Sequence, residues 1–289
     1  NRTLFTQNMN IHFNVPEIGG YDSLMLSRYI KYCTLIDNDL FDITGRLFNA
    51  INDVESFNNR FFRETAVRWI ICKGELPEEA RDGLTLVWDD RINDPMPDRV
   101  LDRYGEFIQV WEIDDYSPRA FLTRNVIIHN GTRNEIRDEM AMWYMKGLDV
   151  VIVENREYQS GDMPFGPGIS PDEPFRLPDS EVIFEVNSPN YLRLKISAPD
   201  DCYLILRDSW YPEWEAYIDG VKTPIYPADL AFRAVALDAG DHIVEFRYVA
   251  RSLKIGALIS IVFLLITLFM IFPYSGGKTR YKSPTASNL

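Results

Sequence analysis

Residues 255–274 read IGALISIVFLLITLFMIFPY, twenty positions without one group ionisable at neutral pH. At about 1.5 Å rise per residue, a helix of that length reaches about 30 Å, the thickness of a bilayer's hydrocarbon core. A buried helix of a soluble domain seldom sustains more than about 14 such residues, so the segment reads as a transmembrane helix and the lipid bilayer as a partner. Ser260 and Thr267 can bond back to the helix backbone, and Pro273 with Gly276 and Gly277 ends it.

The charged residues beyond position 250 are all basic: Arg251, Lys254, Lys278, Arg280 and Lys282. Residues 1–250 hold 25 basic against 43 acidic groups, a net of −18, within a 289-residue chain of net −13. Lys and Arg favour the cytoplasmic flank of a span, so 275–289 is expected to be a basic cytoplasmic tail and the body extracytoplasmic at the cell membrane. The reverse topology would carry three cations across the bilayer. Nucleic acid is excluded as a partner, because phosphate-backbone affinity comes from clustered Lys and Arg. Cys33, Cys72 and Cys202 are odd in number and far apart, which provides neither a disulfide framework nor CxxC zinc spacing. The chain opens Asn1-Arg2-Thr3 with no leader pattern, so an exported body is expected to be the C-terminal portion of a longer protein.

Working outward, residues 179–250 alternate with period two. Leu192, Leu194 and Ile196 share a face, as do Leu204 and Leu206, and Val244, Phe246 and Tyr248. Asp219-Gly220 between 214–218 and 223–226 is a hairpin signal, because a type I′ turn needs positive φ at both central positions. Residues 239–241, Ala-Gly-Asp, mark a second turn between 232–237 and 242–248. About seven short strands here predict a small antiparallel β-sandwich. Residues 159–178, QSGDMPFGPGISPDEPFRLP, hold five prolines and three glycines and read as a linker.

Residues 1–158 mix periods. Helices are expected within 21–33 and 41–48, and strands at 67–72, 84–88, 107–113 and 120–129. Thr132 and Glu135 have capping-box spacing, Ile136, Met140 and Trp143 share a helical face, and Gly147 stands at the C-terminal cap. Residues 149–154, DVVIVE, complete a βαβ unit. The predicted fold is therefore an α/β domain, a small antiparallel β-sandwich and one C-terminal transmembrane helix.

Chemistry-bearing motifs are sparse. GxGxxG and GxxxxGK[ST] are lacking, so no nucleotide cradle or other cofactor site is expected. His12, His129 and His242 share no ligand spacing and no GxSxG elbow accompanies them, leaving no metal site and no nucleophile. The acid pairs Glu78/Glu79, Asp89/Asp90, Asp114/Asp115 and Asp200/Asp201 are sequence neighbours, whereas glycoside hydrolysis needs carboxylates about 5 to 9.5 Å apart across a cleft. Trp210, Tyr211, Trp214, Tyr217 and Tyr226 gather around one hairpin. They can pack a small core or stack on sugar rings, with Asp208, Glu215 and Arg233 as hydrogen-bonding partners.

The run 204–220, LILRDSWYPEWEAYIDG, with 231–235, AFRAV, and 239–248, AGDHIVEFRY, resembles the C-terminal signature of the bacterial YfhO-like membrane proteins. Upstream, Gly20-Tyr21-Asp22-Ser23-Leu24 with Arg28-Tyr29, Val67-Arg68-Trp69-Ile70, and Pro118-Arg119-Ala120-Phe121-Leu122 resemble the same family in the same order. The resemblance implies a polytopic glycosyltransferase of the GT-C type that uses a polyprenyl-phosphate-linked sugar to modify a cell-envelope polymer. It places the catalytic acid in an early external loop, so no residue of this chain inherits a catalytic role, and it singles out Gly20, Tyr21, Asp22 and Ser23 as a motif loop. Glu213 and Ala250 depart from the family's usual Gly and Pro. The alternative is a membrane-anchored carbohydrate-binding or structural ectodomain without catalysis.

Overall fold

The computed structural model describes residues 26–36, 59–93, 107–155 and 174–271. The motif loop Gly20 to Ser23, the helix expected at 41–48, most of the Pro/Gly-rich stretch and the basic tail lie outside the described residues. Two units emerge, 1–247 and 248–289.

The larger unit is built on a six-stranded sheet of order β4-β9-β13-β12-β6-β5. Its strands are β4 (Ala120–Thr123), β5 (Val126–His129), β6 (Val151–Glu154), β9 (Cys202–Leu206), β12 (Tyr226–Ala228) and β13 (Phe232–Leu237). β5 and β6 run parallel across the helix α4 (Arg133–Met145), as the βαβ pattern requires. Thr132 accepts from the Glu135 backbone and Glu135 from that of Thr132, closing the capping box, and Gly147 takes φ +68° just past the helix end.

The stretch 120–129 is two strands rather than one, broken at Arg124 and Asn125, and the two lie on opposite edges of the sheet. In a flat sheet five strand spacings would separate them by roughly 24 Å. Thr123 to Val126 is three Cα steps, about 11 Å at most. The sheet must therefore curl until its edges approach at that end, and it forms a half-barrel.

Strands from both sides of 159–178 share this sheet, so the hydrogen bonding runs across the expected boundary. The hydrophobic pattern explains why. Alternate residues of β4, β9 and β13 are apolar on both faces, which suits a middle layer and no edge of the fold. Phe121, Tyr203, Ile205, Phe232 and Ala234 face a core shared with α1 (Ser27–Ile36), α4 and a three-stranded sheet. That sheet has the order β1-β3-β2, from β1 (Trp69–Lys73), β2 (Leu84–Asp89) and β3 (Ile108–Ile113). Between β1 and α1 comes the one-turn helix α2 (Arg60–Arg63), and α3 (Asp90–Asn93) follows β2.

Leu122, Leu204, Leu206, Val235 and Leu237 face the other way, onto a five-stranded antiparallel sheet of order β11-β10-β14-β8-β7. It comprises β7 (Glu181–Ser188), β8 (Tyr191–Ala198), β10 (Trp214–Ile218), β11 (Val221–Thr223) and β14 (Gly240–Tyr248). Each fully buried leucine in this sandwich contributes about 1.5–3 kcal/mol relative to exposure. The β10–β11 hairpin turns at Asp219 (φ 51°) and Gly220 (φ 84°), as a type I′ turn demands.

The second unit holds α5 (Arg251–Ile271), 21 residues, no side chain of which is buried. It is long and apolar enough to cross a membrane. Two residues separate it from β14.

Candidate functional site

The segment 207–214, RDSWYPEW, leaves the last residue of β9 in the middle layer and enters β10 in the five-stranded sheet. Because alternation continues past the strand end, Arg207 and Asp208 point to opposite faces. Arg207 turns toward the helices. Its guanidinium lies 4.5 Å from the Phe121 ring centroid, donates to the Pro118 carbonyl at 3.2 Å and pairs with Glu64. Burial draws its pKa down to about 10, so it remains a cation at neutral pH.

Asp208 turns into the sandwich and receives a two-pronged bond from Arg119, Nε at 2.7 Å and Nη2 at 2.8 Å. Arg233, 3% exposed, reaches the same carboxylate at 3.4 Å and donates to the Ser209 carbonyl at 3.2 Å. Its guanidinium stacks 3.9 Å from the Trp214 ring centroid. Burial lowers the Arg233 pKa to about 10, and the Asp208 charge opposes that shift. A cation stacked on an indole in a desolvated site gains about 2 kcal/mol, which offsets part of the cost of taking its charge out of water.

Trp210 is held by its backbone N–H on the Ala231 carbonyl (2.6 Å), with its ring 4.6 Å from the Arg28 guanidinium. Arg28 in turn pairs with Glu154 at 2.6 Å, both side chains 5% exposed. The stretches that carry the family resemblance are distant in sequence, yet they meet here: Arg28 on Trp210, Arg119 on Asp208, Phe121 under Arg207, and Arg233 between Asp208 and Trp214. The acids of this belt are engaged by arginines, so it is built to hold charges fixed.

The hairpin aromatics do not share one surface. Trp210 and Tyr226 are buried on the helix side of the middle sheet, and burial pushes the Tyr226 hydroxyl pKa up. Trp214 packs into the sandwich interior. Tyr217 lies on the outer face of the five-stranded sheet, with the Arg247 guanidinium 4.5 Å from its ring and its hydroxyl donating to Glu215 at 2.8 Å. Tyr211 is half-buried in the connector. The cause is twofold: alternation sends neighbours to opposite faces, and the chain switches sheets between Trp210 and Trp214 and again between β11 and β12.

Arg28, Glu64, Arg119, Glu154 and Arg207 were not singled out from sequence as site residues. The signal that could have found them is the excess of arginine inside apolar strand-end motifs. Asp229 also escaped notice. It sits at positive φ (43°), accepts from the Ile152 N–H at 2.8 Å, and is pushed up to about 6 by burial, while Arg207 and Arg60 pull the other way. An open hollow of about 380 Å³ lies among α1, α2 and α4, lined by Leu35, Phe61, Arg137 and Tyr144, and contains none of the sequence candidates. Among the described residues no group of three or more His, Cys, Asp or Glu side chains is placed to hold a metal ion.

No protein-family model matches the chain, and no solved structure matches it. Over 82 residues it is 34% identical to a protein of Bacillus subtilis (strain 168), "Uncharacterized protein YfhO". The matched stretch covers 28% of this chain and 10% of that relative, so the chain spans about a tenth of the length of the curated protein it is similar to.

Proposed function

We propose that this chain is the extracytoplasmic β-rich region and membrane helix of a YfhO-like polytopic glycosyltransferase. In this reading α5 crosses the cell membrane once and the acidic body faces outward. The body supports or orients the acceptor polymer or the polyprenyl-phosphate-linked sugar, and the transfer chemistry belongs to other parts of the protein. The observation that carries the reading is the apolar helix only two residues beyond the last sandwich strand, in a chain similar to YfhO. The arginine–acid belt fits a scaffold, since Glu64, Glu154 and Asp208 are each paired with an arginine. Any sugar contact by the hairpin aromatics falls to the half-buried Tyr211, Trp214 and Tyr217.

Topology is tested by labelling intact cells with a membrane-impermeant maleimide. Ser209 is exposed, and Cys33 and Cys202 are buried with thiol pKa values pushed up to about 11 and about 12, so they react poorly. Ser209→Cys in a Cys72→Ser background is expected to label before lysis, and Ser283→Cys in the tail only after it. Labelling of Ser209→Cys only after lysis overturns the extracytoplasmic placement. Binding of cell-envelope glycan to the wild type that is unchanged in a folded Trp214→Ala, Tyr217→Ala variant removes the hairpin from sugar recognition.

A further inference from the structure

β5 ends at His129, and Asn130-Gly131-Thr132 then leads into α4. This is the chain's single Asn-Gly step. The His129 backbone is fixed by its parallel pairing with Glu154 and by the Asn155 N–H on its carbonyl at 3.2 Å. Its ring folds back over the turn, where the Gly131 backbone N–H donates to Nδ1 at 2.7 Å. A ring nitrogen that accepts carries no proton, so the proton sits on Nε2, which lies 3.2 Å from Glu139 Oε2. The other Glu139 oxygen accepts from the Trp143 indole at 3.3 Å, one turn further along α4. Indole, carboxylate and imidazole thus form a half-buried chain that ends on one backbone N–H. The ring lies so close that nothing larger than glycine fits: a Cβ at 131 would stand 1.9 Å from His129 Cε1 and 2.6 Å from Glu135 Oε2.

An asparagine side-chain amide carbon is within reach of the backbone nitrogen of the next residue, and attack by that nitrogen closes a cyclic imide. The reaction is slow because a backbone N–H is a very weak acid, and a base held on that proton removes the obstacle. In this turn the attacking nitrogen is that of Gly131 and the base on it is His129. Glu139 holds the imidazole in the accepting tautomer and stabilises the imidazolium that forms, as the carboxylate of a catalytic triad does. The positive end of α4, which begins two residues on, favours the charge developing on the nitrogen. Asn130 is exposed, so its side chain can turn onto that nitrogen, and the missing Cβ of Gly131 leaves the approach open.

We propose that Asn130 is a self-modification site, with His129 as the catalytic base for its deamidation and Glu139 as the positioning residue. The Gly131 N–H proton passes to His129 Nδ1, a bond forms from the Gly131 nitrogen to Asn130 Cγ, and the Cγ–Nδ2 bond breaks. Nδ2 takes the proton back and leaves as ammonia. Water then opens the imide at either carbonyl, which leaves aspartate or isoaspartate at position 130. The sum is hydrolysis of one amide, with nothing oxidised or reduced. Loss of ammonia makes the change one-way, and it sets a new carboxylate two residues before the Thr132 cap.

The test ages the full chain in detergent micelles at neutral pH and follows the tryptic peptide 125–133 by chromatography and mass spectrometry, which separate asparagine, aspartate and isoaspartate. His129→Gln keeps a side-chain acceptor but no base, and circular dichroism checks its fold. Wild type is expected to deamidate about a hundredfold faster than this variant, the low end of what a positioned base contributes. The same chain unfolded in guanidinium chloride keeps the Asn-Gly sequence without the held imidazole, and is expected to react at least about tenfold more slowly than the folded chain. Equal rates in wild type and a folded His129→Gln variant overturn the inference. A folded chain that reacts no faster than the unfolded one overturns it too, and this comparison decides the matter if His129→Gln does not fold. Glu139→Gln keeps an acceptor for the ring proton but removes the charge, so its rate is expected to fall between those of wild type and His129→Gln; a rate equal to wild type removes Glu139 from the proposal.

Discussion

Glu154→Gln removes one partner of the most enclosed ion pair described in the body. Glu154 ends β6 and meets Arg28 of α1 at 2.6 Å, both side chains 5% exposed, and Arg28 also donates to the Leu230 carbonyl at 3.4 Å and covers the Trp210 ring. The glutamine keeps the volume and one acceptor oxygen but leaves the arginine charge uncompensated in the core. Breaking a buried pair in this way costs about 3–5 kcal/mol, and the retained acceptor places this variant near 3. With a slope of about 2 kcal/mol per molar urea, the midpoint falls by about 1.5 M. The assay is urea unfolding of the full chain in detergent micelles, followed by near-ultraviolet circular dichroism. Arg28→Met with Glu154→Leu removes both charges at similar size. That double variant still loses the bond to Leu230 and the stacking on Trp210, each about 1 kcal/mol, but no longer buries a lone charge. It is therefore expected to be more stable than Glu154→Gln alone. A single variant within about 0.3 M of wild type, or a double variant less stable than the single, would refute the argument that charge burial sets the cost.

Two further outcomes follow from the local chemistry. His242 contacts Asp219 at 2.7 Å and the Asp238 carbonyl at 3.1 Å; burial lowers its pKa, but these partners outweigh burial and the net pKa is raised above 6.5. A raised histidine pKa stabilises the fold fully below the unfolded value and loses that contribution as pH rises through the folded one, so melting temperature should fall above about pH 6.5 in wild type and stay flatter in His242→Gln. Thr132→Ala opens the capping box of α4 and is expected to cost about 1 kcal/mol in the same urea assay, while Thr132→Ser restores it; equal stability of all three would show that the cap contributes nothing.

Local signals in the chain carried local structure well. The capping box at Thr132, the type I′ turn at Asp219-Gly220, the parallel pairing either side of α4 and the apolar length of α5 each depend on residues within a few positions of one another. Such features are written in spacing and in backbone preference. The burial of Leu192, Leu194 and Ile196 on one face was equally legible, because period two reports a sheet with one covered side.

What sequence could not decide was which strands share a sheet. The proline-rich stretch at 159–178 looked like a boundary, yet β4, β5 and β6 hydrogen-bond in one sheet with β9, β12 and β13. Pairing partners are chosen by nonlocal contacts that no local period encodes, and a sheet apolar on both faces finds its place only when two other layers cover it. For the same reason the aromatics around the hairpin looked like one surface and belong to four environments, while Arg28, Arg119, Arg207 and Arg233, scattered over two hundred positions, meet at one strand end. Sequence alone determined the membrane-length helix, the turns and the acidic charge of the body. Only tertiary structure decided where the charged and aromatic side chains meet, because that depends on the faces to which folded strands turn them.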